Sequence, residues 1–207
     1  MNKVIFDEKD LNVFTIDGLE ARMEGLDTYV RPKFRALAEH FVPYLSELTN
    51  ETMVPHIAKH ARRTINPPKD TWIAFSTSPR GYKMLPHFQI GLWGTHVFVW
   101  FAMIYEAPSK VAYAEKLLQN LEEVYEAIPS HFVWSIDHMN PASHKHGDLS
   151  LEELRTFATR LKQVKKAELL CGVQFTLDEL NKLTPEQFYA TIEETYQTLL
   201  PLYNLAK

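Results

Sequence analysis

The stretch from His87 to Tyr105 limits the fold more than any other part of the chain. In His87-Phe88-Gln89-Ile90-Gly91-Leu92-Trp93, the residues Phe88, Ile90 and Leu92 alternate with His87, Gln89, Gly91 and Trp93. A period of two belongs to a strand, whose successive side chains leave opposite faces. Gly94-Thr95 reads as a two-residue connection, with glycine first as a type II′ turn requires. His96 to Tyr105 then returns apolar on both faces, the pattern of a central strand covered on both sides. This hairpin commits the chain to antiparallel pairing with one strand deep in a core.

The flanking segments supply the rest of the sheet and the helices that cover it. A short strand or turn is expected near Val4, and Asp17 is expected to cap a helix running to about Leu26. A longer helix is expected from about Thr28 to Leu48, with Pro32 in its first turn. In that second helix Val30, Phe34, Leu37, Phe41, Leu45 and Leu48 recur at helical spacing. Thr71 to Ser76 reads as a strand and Ser78-Pro79-Arg80-Gly81 as a turn. One helix is expected from about Ser109 to Ala127, then a strand from Phe132 to Asp137 and a loop from Asn140 to Gly147. Ser150 with Glu153 forms a capping box for a helix to about Val164. Glu168 to Phe175 is the next strand, and Thr184-Pro185 starts the last helix. The order predicts an α+β fold, with a central, largely antiparallel sheet and packed helices, over one domain spanning 1–207.

Composition supports a well-filled core. Of 207 residues, 45% are hydrophobic and 12% aromatic, whereas charged residues stay at 23%, close to the globular average. Cys171 is the single cysteine, so no internal disulfide forms, and its neighbours Leu170 and Gly172 read as a buried strand. The first residues lack the apolar run of a signal peptide, and Val97 to Tyr105 is too short for a membrane helix. These features point to a cytoplasmic protein without a membrane partner.

Charge is distributed unevenly. Between Val54 and Tyr105 six Lys/Arg face one acid, Asp70, a net +5 that leaves −9 for the rest of a chain whose total is −4. The same segment carries four of nine histidines and three of four tryptophans. A basic segment in an acidic chain marks an anion-binding face, unless it only reflects the scarcity of acids in strands.

Three constellations follow. His56 and His60, four apart, share a face on a helix or a strand and would suit a metal. The glutamate of a zincin helix is missing between them, and spacing names no third ligand. Arg62, Arg63, Arg80 and Lys83, with His87 and Lys69 close in sequence, could converge on a phosphate or carboxylate, which arginine's planar fork grips bidentately. Ser135-Ile136-Asp137-His138 and His144-Lys145-His146-Gly147-Asp148 contain acid–histidine neighbours, but without a recognisable nucleophile they are expected to be solvated loop residues. The sequence has no Walker A loop, no Gly-x-Gly-x-x-Gly and no Cys-x-x-Cys, and no cofactor is expected.

Three strings carry a family resemblance. They are Pro55 to Arg63 with Asn66-Pro67-Pro68, then Arg80-Gly81-Tyr82-Lys83 with Pro86 to Trp93, and Lys165 to Gly172. In these the chain resembles the YktB-like proteins of Gram-positive bacteria over essentially its whole length. The resemblance implies an α+β fold and a cytoplasmic bacterial protein. It implies no activity, because the family has none assigned.

The leading functional expectation is a binding or regulatory domain for a phosphate-bearing ligand, a small molecule or nucleotide. Arg62, Arg63, Arg80 and Lys83 would contact the anion, with His56, His60 and His87 hydrogen-bonding around it. The acidic overall balance weighs against a general nucleic-acid coat and leaves only a local patch for such a partner. A metal-dependent hydrolase using His56 and His60, and a protein-interaction module, are the alternatives.

Overall fold

A computed structural model of the protein describes residues 3–207. Its strands are β1 (Val54–Ile57), β2 (Asp70–Ser76), β3 (His87–Trp93), β4 (His96–Met103), β5 (Val133–Ser135), β6 (His144–Lys145) and β7 (Leu169–Thr176). They form one sheet in the order β1-β2-β3-β4-β7-β5-β6, with every neighbouring pair antiparallel. The helices are α1 (Glu8–Asn12), α2 (Leu19–Gly25), α3 (Arg31–Thr49), α4 (Lys110–Gln119), α5 (Leu121–Ala127), α6 (Leu151–Gln163), α7 (Leu177–Leu180) and α8 (Pro185–Leu205). The α+β class and the antiparallel sheet with packed helices are as the sequence predicts. No helix among the described residues is long and apolar enough to cross a membrane.

The alternation read in the hairpin separates two layers. Phe88, Ile90, Leu92, Val97, Val99, Phe101 and Val173 point into one cluster with Phe34, Leu37 and Phe41 of α3, Tyr113 and Leu117 of α4, and Phe188 and Tyr196 of α8. Burial of each such side chain contributes about 1.5–3 kcal/mol. Trp93, Phe98, Trp100, Ala102, Ile104 and Leu170 form a second cluster on the opposite face, joined by Trp72 and Val133, and no helix residue belongs to it. Every residue of β4 is buried, as a doubly covered central strand requires. The cover on this second face is aromatic side chains and loops.

Glycines make room for those rings. Gly91 pairs with Phe98 and Gly172 with Trp100. A Cβ at Gly91 would fall 2.2 Å from the Phe98 ring, and one at Gly172 would fall 1.8 Å from the carbonyl oxygen of Val99.

Local departures from expectation have local causes. The Gly94-Thr95 hairpin is present, but Gly94 lacks the positive φ of a type II′ turn. Its lack of a side chain serves packing instead, since a Cβ there would sit 3.2 Å from Phe14. Residues around Val4 form no strand, and the Val4 amide is tethered to the Tyr189 hydroxyl. Asp17 does not cap α2, because Gly18 occupies the cap at φ 83 and makes no side-chain bond. α2 and α3 are joined by a π-helical segment, Leu26–Val30, just before Pro32, whose missing N–H cannot continue the regular ladder. The helix expected over Ser109–Ala127 breaks at Asn120, whose side-chain amide donates to the Lys116 carbonyl and competes with the helix. The boxes at Ser150 and Thr184 form as read.

Candidate functional site

Three loops rim the second face of the sheet, at residues 58–69, 77–86 and 136–143, and each is fastened by side chains of the motifs that drew attention in the sequence. In the first, His60 adopts φ 52 and its Nε2 meets the Thr71 hydroxyl at 3.2 Å. The Arg63 guanidinium donates to the carbonyls of Asn66 and Pro67 at 3.3 and 3.4 Å, so the loop folds around its own arginine. In the second, the Trp72 indole donates to the Tyr82 hydroxyl at 2.8 Å, pinning the loop to β2. Burial pushes the Tyr82 hydroxyl up to about 12, so it stays protonated and available as acceptor and donor.

Of the sequence-predicted site residues, Arg62, Arg63, Lys83 and His60 line one open cleft between the first two loops. Trp72, Tyr82 and Met84 form its apolar walls and Glu106, 3.3 Å from Lys83, its single acid. Arg80 is exposed at the loop tip outside that lining. His56 sits on the neighbouring cleft against α3 with Arg31 and Arg35, its Nε2 on the Ser78 carbonyl at 2.8 Å.

His87 requires a correction. It is fully buried beneath Tyr82 and cannot touch a surface anion. Its Nδ1–H donates to the Leu85 carbonyl at 2.7 Å, and its Nε2 accepts from the Gln89 amide at 2.8 Å. Burial lowers its pKa to about 4, so the ring is neutral and serves to orient Gln89. His56 and His60 also turn to different partners. Among the described residues no three His, Cys, Asp or Glu side chains are grouped to hold a metal.

At the centre of the same face lies an enclosed recess of about 20 Å³, room for a water-sized molecule. Trp72, Trp93, Phe98 and Trp100 wall it, and the polar residues Asp70, Gln89, Gln174, Ser135 and His138 complete its lining. The recess abuts two clefts. Trp72 is shared with the cleft of Arg62, Arg63 and Lys83, while Asp70 and Trp93 are shared with one lined by Arg63, Asn66 and Lys69.

The polar groups of the recess are held firmly. His138 donates from both its backbone N–H and its ring Nδ1 to the same Glu168 oxygen, at 2.6 and 2.7 Å. Burial opposes charge on His138, but the Glu168 bond and the charges of Glu168 and Asp70 outweigh it and hold its pKa above the ordinary imidazole range. Asp70 is 4% exposed, and among the described residues no other residue hydrogen-bonds its carboxylate. Burial raises its pKa to about 6, against the opposing pull of His138 and Arg63. Ser143 donates to Gln174, whose amide donates to His96, tying the third loop to β4 and β7.

Sequence reasoning missed Asp70, Glu168 and Gln174, and His138 was expected to be solvated. Asp70 did carry a signal, as the lone acid of the basic segment. Glu168 carried none, because its partner lies thirty positions away. His146, also expected in solvent, is buried between the Trp134 indole and the Tyr125 carbonyl.

Comparison with known proteins places the chain in a family. The family described as domain of unknown function DUF1054 matches residues 6–203. The chain belongs to the DUF1054 family. A UPF0637 protein of Bacillus velezensis is 51% identical over 207 residues, covering 100% of this chain and 99% of that one. Another, from Bacillus cereus, is 54% identical over 200 residues, with coverage of 97% and 96%. The resemblance to YktB-like proteins is thereby borne out, and DUF1054 carries no assigned activity. Among solved structures a conserved hypothetical protein of Pyrococcus furiosus aligns with TM-score 0.43 and 15% identity, covering 83% of this chain and 93% of that one.

Proposed function

We propose that this DUF1054 protein binds a phosphate-bearing ligand of the mononucleotide class on the loop-rimmed face of its sheet. The observation that carries the reading is that Arg62, Arg63 and Lys83 share one cleft with the Trp72 and Tyr82 side chains. Cation and aromatic surface are both offered to one bound molecule. Guanidinium groups suit phosphate oxygens in geometry and charge, and an aromatic wall suits the flat ring of a base. Arg62 is exposed and makes no side-chain hydrogen bond among the described residues, so its donors are available. Arg80 serves as a peripheral attraction, and His60 as a neutral hydrogen-bonding neighbour, since burial and the nearby Arg63 and Arg31 lower its pKa to about 4.

Titration calorimetry with adenosine monophosphate tests this reading. Arg62→Ala together with Arg63→Ala should weaken binding by about 10- to 100-fold, in line with losing one or two charge-assisted bonds. Raising the salt concentration should weaken wild-type binding more steeply than binding to the double variant, which keeps only Lys83 and the peripheral Arg80. Equal affinity in wild type and double variant would contradict the proposal.

A further inference from the structure

We infer that Asp70 and His138, with Glu168 fixing the histidine, form a general base and general acid that hydrolyse a phosphate ester at the edge of the central recess. The inference rests on the phosphate-binding reading above and adds a reaction to it.

Two independent features of the geometry lead to it. First, Glu168 takes the Nδ1 side of His138 at 2.7 Å and also its backbone N–H at 2.6 Å, and both groups are buried or half-buried. An imidazole held on one nitrogen by a carboxylate has its orientation and tautomer set, leaving the other nitrogen for a reacting group. His138 faces the recess. Second, Asp70 is a carboxylate more than nine-tenths buried, without a cation bonded to it among the described residues, on the wall shared by the recess and the cleft of Arg63 and Lys69. A solvent-exposed aspartate would cost nothing to ionise. One enclosed by Trp72 and Trp93 is retained against a desolvation penalty, a condition concentrated at functional sites.

The placement assigns the roles. Arg63 lines both the nucleotide cleft and the cleft of Asp70, so a phosphate on Arg63 lies beside Asp70, and the recess behind has room for a water-sized molecule. In the step proposed, the Asp70 carboxylate accepts a proton from water as the water oxygen bonds to phosphorus. The ester P–O bond breaks, and its electron pair stays on the leaving oxygen. The His138 imidazolium supplies the proton that oxygen needs. Products are the phosphate and an alcohol, with one proton moved from Asp70 to His138 through solvent to reset the pair. The protonation states agree with these roles near neutrality. Asp70, pushed up to about 6 by burial while facing His138 and Arg63, is mostly ionised. His138, facing Glu168, Asp70 and Lys83, is held above its ordinary value.

The experiment follows turnover of two esters of thymidine monophosphate by the full chain, one with p-nitrophenol and one with methanol, alongside calorimetric binding of adenosine monophosphate. Nitrophenolate leaves without a proton, whereas methoxide needs one. His138→Ala should therefore lose about 100-fold or more on the methyl ester and little on the nitrophenyl ester. Asp70→Asn should lose about 100-fold or more on both while retaining nucleotide binding. Glu168→Gln, acting through His138, should shift the alkaline limb of the pH–rate profile downward, a change that mere loosening of the loop would not give. His138→Gln guards against a folding defect in the alanine variant and should show the same leaving-group split. If adenosine monophosphate binds but neither ester turns over, the acid–base inference falls and the binding reading stands. Equal losses on both esters in the His138 variants would overturn the acid assignment. Absence of both binding and turnover would overturn both readings.

Discussion

Gly172→Ala is expected to reduce the stability of the fold by about 4 kcal/mol or more. The methyl carbon would lie 1.8 Å from the Val99 carbonyl oxygen and 3.1 Å from the Trp100 ring. The first contact is with backbone, and neither strand can yield. β4 is bonded to β3 on one side and β7 on the other, and β7 is bonded to β5 as well. Relief would require breaking ladder bonds at the centre of the sheet. Gly18→Ala gives the contrast, because nothing lies within 4 Å of a Cβ there. Only the left-handed backbone at φ 83 opposes it, at a cost of about 1–2 kcal/mol. Urea denaturation of both variants checks the ranking, and a Gly172→Ala midpoint near that of wild type would refute the close-approach account.

The second large effect is a loss of stability in acid, carried by neutral buried histidines. His87 is held at about 4, well below its unfolded value of 6.5, by complete burial. His96 and His60 are lowered to about 4 as well, with burial the leading cause in each. A base whose folded pKa is depressed binds fewer protons in the fold than in the unfolded chain. Stability is therefore intact above pH 6.5 and falls as pH drops toward 4. For His87 alone the fall amounts to about 3 kcal/mol by pH 4. Asp70 has the opposite sign. Its folded pKa of about 6 exceeds the unfolded 3.8, so the fold favours its protonated form and loses that contribution as pH rises from 4 through 6. Asp70→Asn should consequently be more stable than wild type at pH 7, by up to about 3 kcal/mol, with the advantage vanishing near pH 4. Denaturant midpoints from pH 4 to 7 for wild type and Asp70→Asn measure both effects. A wild type more stable at pH 4 than at 7 would contradict the histidine assignment.

What could be read from the sequence was whatever repeats over short range. The alternation of Phe88, Ile90 and Leu92 announces its strand because a sheet face is set by neighbours two positions apart. The Ser150–Glu153 and Thr184–Gln187 boxes announce their helices because the cap is local. The type II′ turn at Gly94 failed because the glycine answers to Phe14, some eighty residues earlier, and not to its own turn. The site divided in the same way. The Arg62–Arg63 and Lys83 cleft was foreseeable, since a local excess of one charge needs no knowledge of the fold. His87 misled because a histidine on a strand's polar-looking face also suits a buried bond to Gln89. Asp70, His138 and Glu168 meet only when β2, β7 and the loop after β5 are brought together. No spacing within a single chain segment records that meeting.

The four indole N–H signals of Trp72, Trp93, Trp100 and Trp134 report most directly on the claim that the loop-rimmed face is a ligand site. Trp72 lines the basic cleft and Trp93 the cleft beside Asp70, whereas Trp134 lies in the opposite layer, bonded to His146. A nitrogen–proton correlation spectrum recorded through a titration with adenosine monophosphate should move the Trp72 and Trp93 signals saturably and leave Trp134 in place. Signals unmoved at millimolar nucleotide, or movement confined to Trp134, would contradict it.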